Sequence, residues 1–170
     1  SNAMSEESKP PRVEEQPPTA LASDEERAWA AIAHASALVT VLFGVLTGGA
    51  LCLVGPIVPL VIWLVFRERS RFVARHALQA TIFQALVVVL TAAIFVLGLI
   101  LVVAAWAGAG VLISVVVGIC LIPIALVLTL LWIMATLGLP VAALVYACYG
   151  AYEVLQGRDF RYYLVGNWAS

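Results

Sequence analysis

Charge is what this sequence is shortest of. No Asp, Glu, Lys or Arg occurs over the 39 positions from 28 to 66, nor over the 76 positions from 77 to 152. Charged residues make up 11% of the 170 and hydrophobic ones 64%, where a soluble domain carries about a quarter charged residues. A water-facing surface cannot be built from that stock, and the mean hydropathy of +1.06 agrees. A helix needs about 20 apolar residues to cross the roughly 30 Å hydrocarbon core, so the first run has room for two crossings and the second for at least two. The chain therefore reads as an integral membrane protein. Polar-apolar alternation, the mark of a transmembrane barrel strand, is also missing: "ALVVVL" (85–90) and "VLISVVVGICLIPIALVLTLLW" (111–132) show none. The fold class expected is all-α, a membrane helical bundle.

The parts of most enzymes are absent too. Neither uncharged run holds a carboxylate, and no G-x-S-x-G, H-E-x-x-H, phosphate loop or dinucleotide glycine signature occurs. No enzymatic activity, cofactor or metal site is expected. Cys52, Cys120 and Cys148 lie far apart in apolar tracts without C-x-x-C spacing, and read as small hydrophobes in the bundle. With a net charge of -1 and no basic surface patch, nucleic acid is not an expected partner. There is no pattern of a cleaved signal peptide.

What is present sits at the ends and in one loop. Ser1-Asn2-Ala3 ahead of Met4 looks like a remnant of tag cleavage, and 4–23, rich in Pro and Glu, reads as a disordered cytoplasmic tail. The transmembrane domain is expected over 24–157, followed by an aromatic and basic cytoplasmic tail over 158–170. "SDEERAWA" opens the first helix: Ser23 and Glu26 have capping-box spacing, and three acids complement the dipole. Helix one is expected from Asp24 to Leu46, stopping at Gly48-Gly49. Helix two begins near Ala50 or after Gly55-Pro56 and ends at Phe66, which makes it short. Helix three runs from Phe72 to about Ala105 and breaks at "WAGAG" (106–110). The rest, Val111 to Leu155, is one long helix bent at Pro123 and Pro140, or two spans parted around "LGLP" (137–140).

Positive charge chooses between those options. With four crossings, all nine Lys and Arg residues share one side; with five, Arg158 and Arg161 move across. Four spans with both termini cytoplasmic is the reading, five the alternative. The aromatics agree: Trp29, Trp63, Tyr152, Phe160, Tyr162 and Tyr163 fall at the basic interface as anchors, Trp106 at the other. Arg67, Arg69, Arg71 and Arg75 hold their loop inside and, with Arg158 and Arg161, are candidate contacts for anionic lipid headgroups or a partner.

Within the spans, few side chains can carry chemistry. At 100° per residue Phe72, Arg75, His76, Gln79 and Phe83 form one face, with Gln84 beside it, a polar and aromatic stripe entering the membrane. His34 lies about 15 Å inside helix one, where an ionisable group is a functional candidate, yet the sequence shows it no partner. The candidate functional residues are therefore His34, His76, Gln79, Phe83 and Gln84. Ser36, Thr40 and Thr47 read as helix-packing hydroxyls. Gly44 and Gly48, then Gly110, Ser114 and Gly118, then Ala143, Ala147 and Ala151, have the small-xxx-small spacing that lets helices approach, within one chain or between copies.

Three segments, "ERAWAAIAHASAL" (26–38), "GPIVPLVIWLVFRERSRFVARHALQATIFQ" (55–84) and "GRDFRYYLVG" (157–166), resemble a family of small bacterial membrane proteins of unknown function called Tic-like. That family is distantly similar to the twenty-kilodalton channel subunit of the chloroplast inner-envelope translocon. Trp29, His34, Gly55, Pro56, Trp63, Phe72, His76, Ala80, Phe83, Gln84, Gly157 and Tyr162 match its characteristic positions, while Ile82 and Tyr163 stand where it usually has Asn and Pro. The resemblance implies a four-helix bundle in the bacterial inner membrane without an assigned activity. The function expected is a non-enzymatic scaffold or accessory subunit of a membrane complex, with an oligomeric channel or translocation-like pore as the alternative. The bilayer, a membrane-protein partner and a second copy of the chain are the partners in view.

Overall fold

The computed structural model describes residues 22–169, so the expectations for the N-terminal tail lie outside the described residues. Those residues are all-helical, without strands: α1 (Asp24–Ala35), α2 (Ala37–Leu46), α3 (Val54–Phe66), α4 (Arg71–Leu112), a short 3-10 turn (Ile113–Val115) and α5 (Val117–Leu155). Three stretches are long and apolar enough to cross a bilayer, Asp24–Leu46, Arg71–Val115 and Val117–Leu155, while α3 has 13 residues. The chain is a multi-pass membrane helical bundle.

The capping box forms as the sequence predicts. Ser23 Oγ accepts from the Glu26 N–H at 3.1 Å and the Glu26 carboxylate accepts from the Ser23 N–H at 2.9 Å. Helix one, expected unbroken, is interrupted at Ser36. The Ser36 hydroxyl donates to the Ala33 carbonyl at 2.6 Å and its own carbonyl accepts from Val39 at 2.9 Å, the local side-chain competition that unsettles a helix at serine. After α2 the chain turns through 47–53, where Gly49 N–H bonds the Gly44 carbonyl at 2.7 Å and Leu51 N–H bonds Thr47 Oγ1 at 3.0 Å. Gly48 and Gly49 take positive φ there, 60° and 94°, which glycine alone adopts without cost.

Two expected boundaries move. "WAGAG" does not break the chain: α4 runs through it to Leu112. In lipid the helix keeps every backbone hydrogen bond internal, so glycines that would loosen a helix in water are carried along. Trp106 also ties this stretch to α5, its Nε1 donating to Thr129 Oγ1 at 3.0 Å. The real reversal is at 113–116, where Val116 takes φ 67°. Gly118 makes it tight, since a Cβ there would collide with the Ala109 carbonyl and Ile113 backbone. Nor does the chain part at 137–140: α5 is one helix containing both Pro123 and Pro140.

α4 and α5 pair along their lengths; α1 packs on both, α3 packs on α4, and α2 meets α3 and α5. The packed core lies at the end of the bundle near the charges. One cluster joins Ala30, Val154, Phe160, Tyr162 and Val165; the other joins Ala33, Ile62, Val73, Ala77 and Ala80. The opposite half of the α4/α5 hairpin is mostly exposed and apolar. At 42 and 39 residues these helices are about 63 and 59 Å long.

Of the glycines with small-xxx-small spacing, Gly118 alone packs tightly. A Cβ on Gly44 would meet Cys52 only in ordinary contact, and on Gly48 or Gly110 would meet nothing within 4 Å. Gly55, Gly98 and Gly150, outside that spacing, are closed too, against Thr40, Trp132 and Phe160. Replacing Gly55 with Leu is expected to destabilise the protein by roughly 1 to 3 kcal/mol or more through overpacking, whereas Gly110→Ala leaves it unchanged; unfolding in detergent with rising dodecyl sulfate separates the two.

Candidate functional site

Every charged residue outside the N-terminal tail gathers at one end. Ser70 Oγ donates to Glu26 Oε1 at 2.6 Å, joining the start of α1 to the start of α4, and Arg75 pairs with Asp159 beyond the end of α5. Both described ends of the chain therefore sit at this end of the bundle. Here 158–169 folds back on the helices. Phe160 and Tyr162, expected from the sequence as interfacial anchors, are buried within the protein at 8% and 1% exposure.

The fold-back completes a buried polar chain. His34 on α1 and His76 on α4 are both fully buried. His34 Nε2 lies 3.1 Å from His76 Nδ1, and His34 Nδ1 lies 3.0 Å from Tyr162 Oη. The sequence showed His34 no partner; the fold brings it one from 42 positions and another from 128 positions away. At the outer end His76 Nε2 lies 3.5 Å from Asp159 Oδ1, an ion-pair distance too long for a hydrogen bond.

Donor and acceptor roles follow from the ends. Asp159 as a carboxylate accepts only, which favours the His76 proton on Nε2. His76 Nδ1 then accepts from His34 Nε2–H, and His34 Nδ1 accepts from the Tyr162 hydroxyl. Burial, helped by Tyr146 and Cys148, pushes the Tyr162 phenol well above its ordinary range, so it keeps the proton it donates. Both bonds can form with neutral imidazoles.

The rings around this chain are packed on one another. Tyr162 stacks on Phe83 with centroids 4.0 Å apart and planes at 8°, and Tyr146 and Phe160 meet its edges and face at 5.2 and 4.9 Å. Phe160 also meets His34 at 5.4 Å, and Phe72 meets His76 at 4.7 Å. Such pairs each contribute about 0.5 to 1.5 kcal/mol beyond area burial. The Gln79 carbonyl accepts from the Tyr162 N–H at 3.3 Å.

Gln84 holds a second junction. Its carbonyl accepts from Thr40 at 2.9 Å, and its amide donates to Ser36 Oγ at 2.9 Å and to the Ala33 carbonyl at 3.4 Å. This joins α4 to the α1–α2 break. The structure thus unites His34, His76, Gln79 and Phe83 around Tyr162, with Gln84 apart from them. Sequence reasoning missed Tyr162 as an interior residue and Asp159 altogether. Tyr162 had one signal, its place among the matched positions of the resemblance; Asp159 had none.

The arginines divide. Arg158 grips Glu153 with two bonds, 2.6 and 2.7 Å; Arg67 lies 3.8 Å from Glu68 and over Trp63; Arg75 and Arg161 share Asp159. Arg69 and Arg71 are exposed and form no ion pair among the described residues. No three His, Cys, Asp or Glu side chains converge as a metal set among the described residues.

Tyr162→Phe strips His34 Nδ1 of its donor inside the protein, and is expected to cost roughly 1 to 3 kcal/mol. Tyr163→Phe, at a side chain 87% exposed, should stay within about 0.5 kcal/mol. A double-mutant cycle of Tyr162→Phe with His34→Phe, read by detergent unfolding, should return a coupling of roughly 0.5 to 2 kcal/mol.

No curated protein and no solved structure matches the chain, and the comparisons do not show the kinship with the translocon subunit. Over residues 25–169 the sequence matches a family model, which supports the small bacterial membrane-protein kind that the resemblance implied. With a multi-pass bundle that gathers its charge at one end, the chain belongs to the magnetosome magnetite crystal formation protein family.

Proposed function

We propose that the protein is a non-enzymatic accessory subunit of the magnetosome membrane, supporting magnetite crystal formation by docking other proteins at its charged end. The observation that carries this reading is the distribution of donor groups along the bundle. The turns at the uncharged end, 47–53 and 113–116, contain no carboxylate and no imidazole, the oxygen and nitrogen ligands that iron prefers. All carboxylates lie in the N-terminal tail, at the start of α1, at Glu68, or at Glu153 and Asp159. By the positive-inside rule the charged end faces the cytoplasm, and the face turned away from it offers a mineral no ligand set. Beyond Gln84 no charged, amide or imidazole side chain occurs until Glu153, which supports a packed bundle over a polar pore.

Among the described residues, Arg69 and Arg71 are exposed cations without an ion pair, able to meet a partner's acids. In cells, Arg69→Ala with Arg71→Ala should reduce crosslinking to neighbouring membrane proteins severalfold while leaving detergent unfolding unchanged. A reporter fused after Ser170 should be active only as a cytoplasmic one. Crosslinking that is the same with and without these arginines would overturn the docking role.

A further inference from the structure

Three nitrogen donors on one face of α4 are buried without a hydrogen-bond partner: Arg75 Nε, His76 Nε2 and Gln79 Nε2. His76 and Gln79 are both fully buried. The remaining orphans, Thr91 and Thr136 Oγ1, are hydroxyls within the helices, where the carbonyl one turn back is a ready acceptor. The α4 group is different in kind, because guanidinium and amide nitrogens only donate, and His76 Nε2 carries a proton when Nδ1 accepts from His34. Several unmet donors with no unmet acceptor beside them call for a group that only accepts.

Asp159 now fills that role in part. It pairs with Arg75, lies 3.4 Å from Arg161 Nε and 3.5 Å from His76 Nε2. Two guanidinium groups thus face one carboxylate, leaving one positive charge in excess. Two carboxylate oxygens are also too few for the donors present. Asp159 is about half exposed, so water can receive it if it swings away.

Depth selects among anions. Above this turn, α4 has no charged residue from Ala77 to Leu112; below it stand the exposed Arg69 and Arg71. The donors lie where the apolar span gives way to the interface, the level of a lipid phosphate. We propose that Arg75, His76, Gln79 and Arg161 form a binding site for the phosphate of an anionic phospholipid headgroup, and that Asp159 is its internal competitor. A phosphodiester carries the same single negative charge as the carboxylate it displaces, and offers more acceptor oxygens to the donors left unmet. The site requires membrane insertion but not the docking role proposed above, and can be tested without any protein partner.

The test uses the purified full chain in neutral detergent, with thermal unfolding followed against short-chain phosphatidylglycerol, short-chain phosphatidylcholine and inorganic phosphate. A ligand that binds only the folded state raises the midpoint with concentration. Phosphatidylglycerol should raise it and phosphatidylcholine should not. Asp159→Asn should tighten the apparent affinity about tenfold, equivalent to about 1.4 kcal/mol, while Arg161→Gln and Arg75→Gln weaken it by a similar factor. Arg161 is half exposed, so its variant remains informative if Arg75→Gln folds poorly. Inorganic phosphate acting as strongly as the lipid would overturn a headgroup site in favour of a soluble anion. Asp159→Asn binding no more tightly than wild type would overturn competition, leaving these donors to ordered water.

Discussion

Inside a bilayer there is no water to receive a hydrogen bond, so a buried polar side chain is costly wherever the protein gives it no partner. This constraint organises the charged half of the bundle. His34 on α1 has two ring nitrogens to satisfy; it reaches His76 with one and Tyr162 with the other. The first contact fixes the relation of α1 to α4, and the second requires the chain after α5 to turn back into the bundle. Gln84 applies the same rule one layer further along, closing α4 against the α1–α2 break through Thr40, Ser36 and Ala33. The small residues between these contacts, Ala30, Ala33, Ala77 and Ala80, keep the helices near enough for such short bonds.

Much of this was legible in the residues. Charge-free runs announce membrane helices because charge in lipid is so costly, and the Ser23–Glu26 box is a local pattern that folds locally. The shortness of α3 follows from its prolines and from Arg67. Partnerships across distance were not legible. Nothing near His34 points to a histidine 42 positions on, and nothing near Tyr162 says that it is an interior residue rather than an interfacial anchor. The glycine-rich 106–110 misled for a physical reason: the habits of glycine in water do not transfer to lipid, and the reversal went instead where Gly118 lets two backbones touch. Spacing of small residues was a partial guide: Gly118, Ala147 and Ala151 do pack closely, whereas Gly55 and Gly150, closed by a threonine and a phenylalanine, stand outside the expected pattern.

The architecture is that of a multi-pass membrane member of the magnetite crystal formation family. The chain's chemistry is concentrated at one end and its bulk in the apolar remainder. The buried Tyr162, His34 and His76 chain couples the C-terminal segment to two helices, so whatever engages Asp159 or Arg75 at the surface also meets the end of that chain.

The α4/α5 hairpin has a mechanical consequence. Each of its arms is about twice the roughly 30 Å hydrocarbon thickness and neither carries a charge between Ala77 and Tyr152. Held upright, it would thrust half its apolar length into water. A straight hairpin that fitted by leaning alone would need an inclination of roughly 60° from the bilayer normal, well past the usual 0 to 40°, so bending, as at Pro123 and Pro140, or local thickening of the bilayer shares the excess. To the extent that the hairpin leans, its footprint in the sheet is longer than it is wide. Such an inclusion is anisotropic: on a strongly bent surface it distinguishes the direction along the curve from the direction across it, as a compact upright bundle does not.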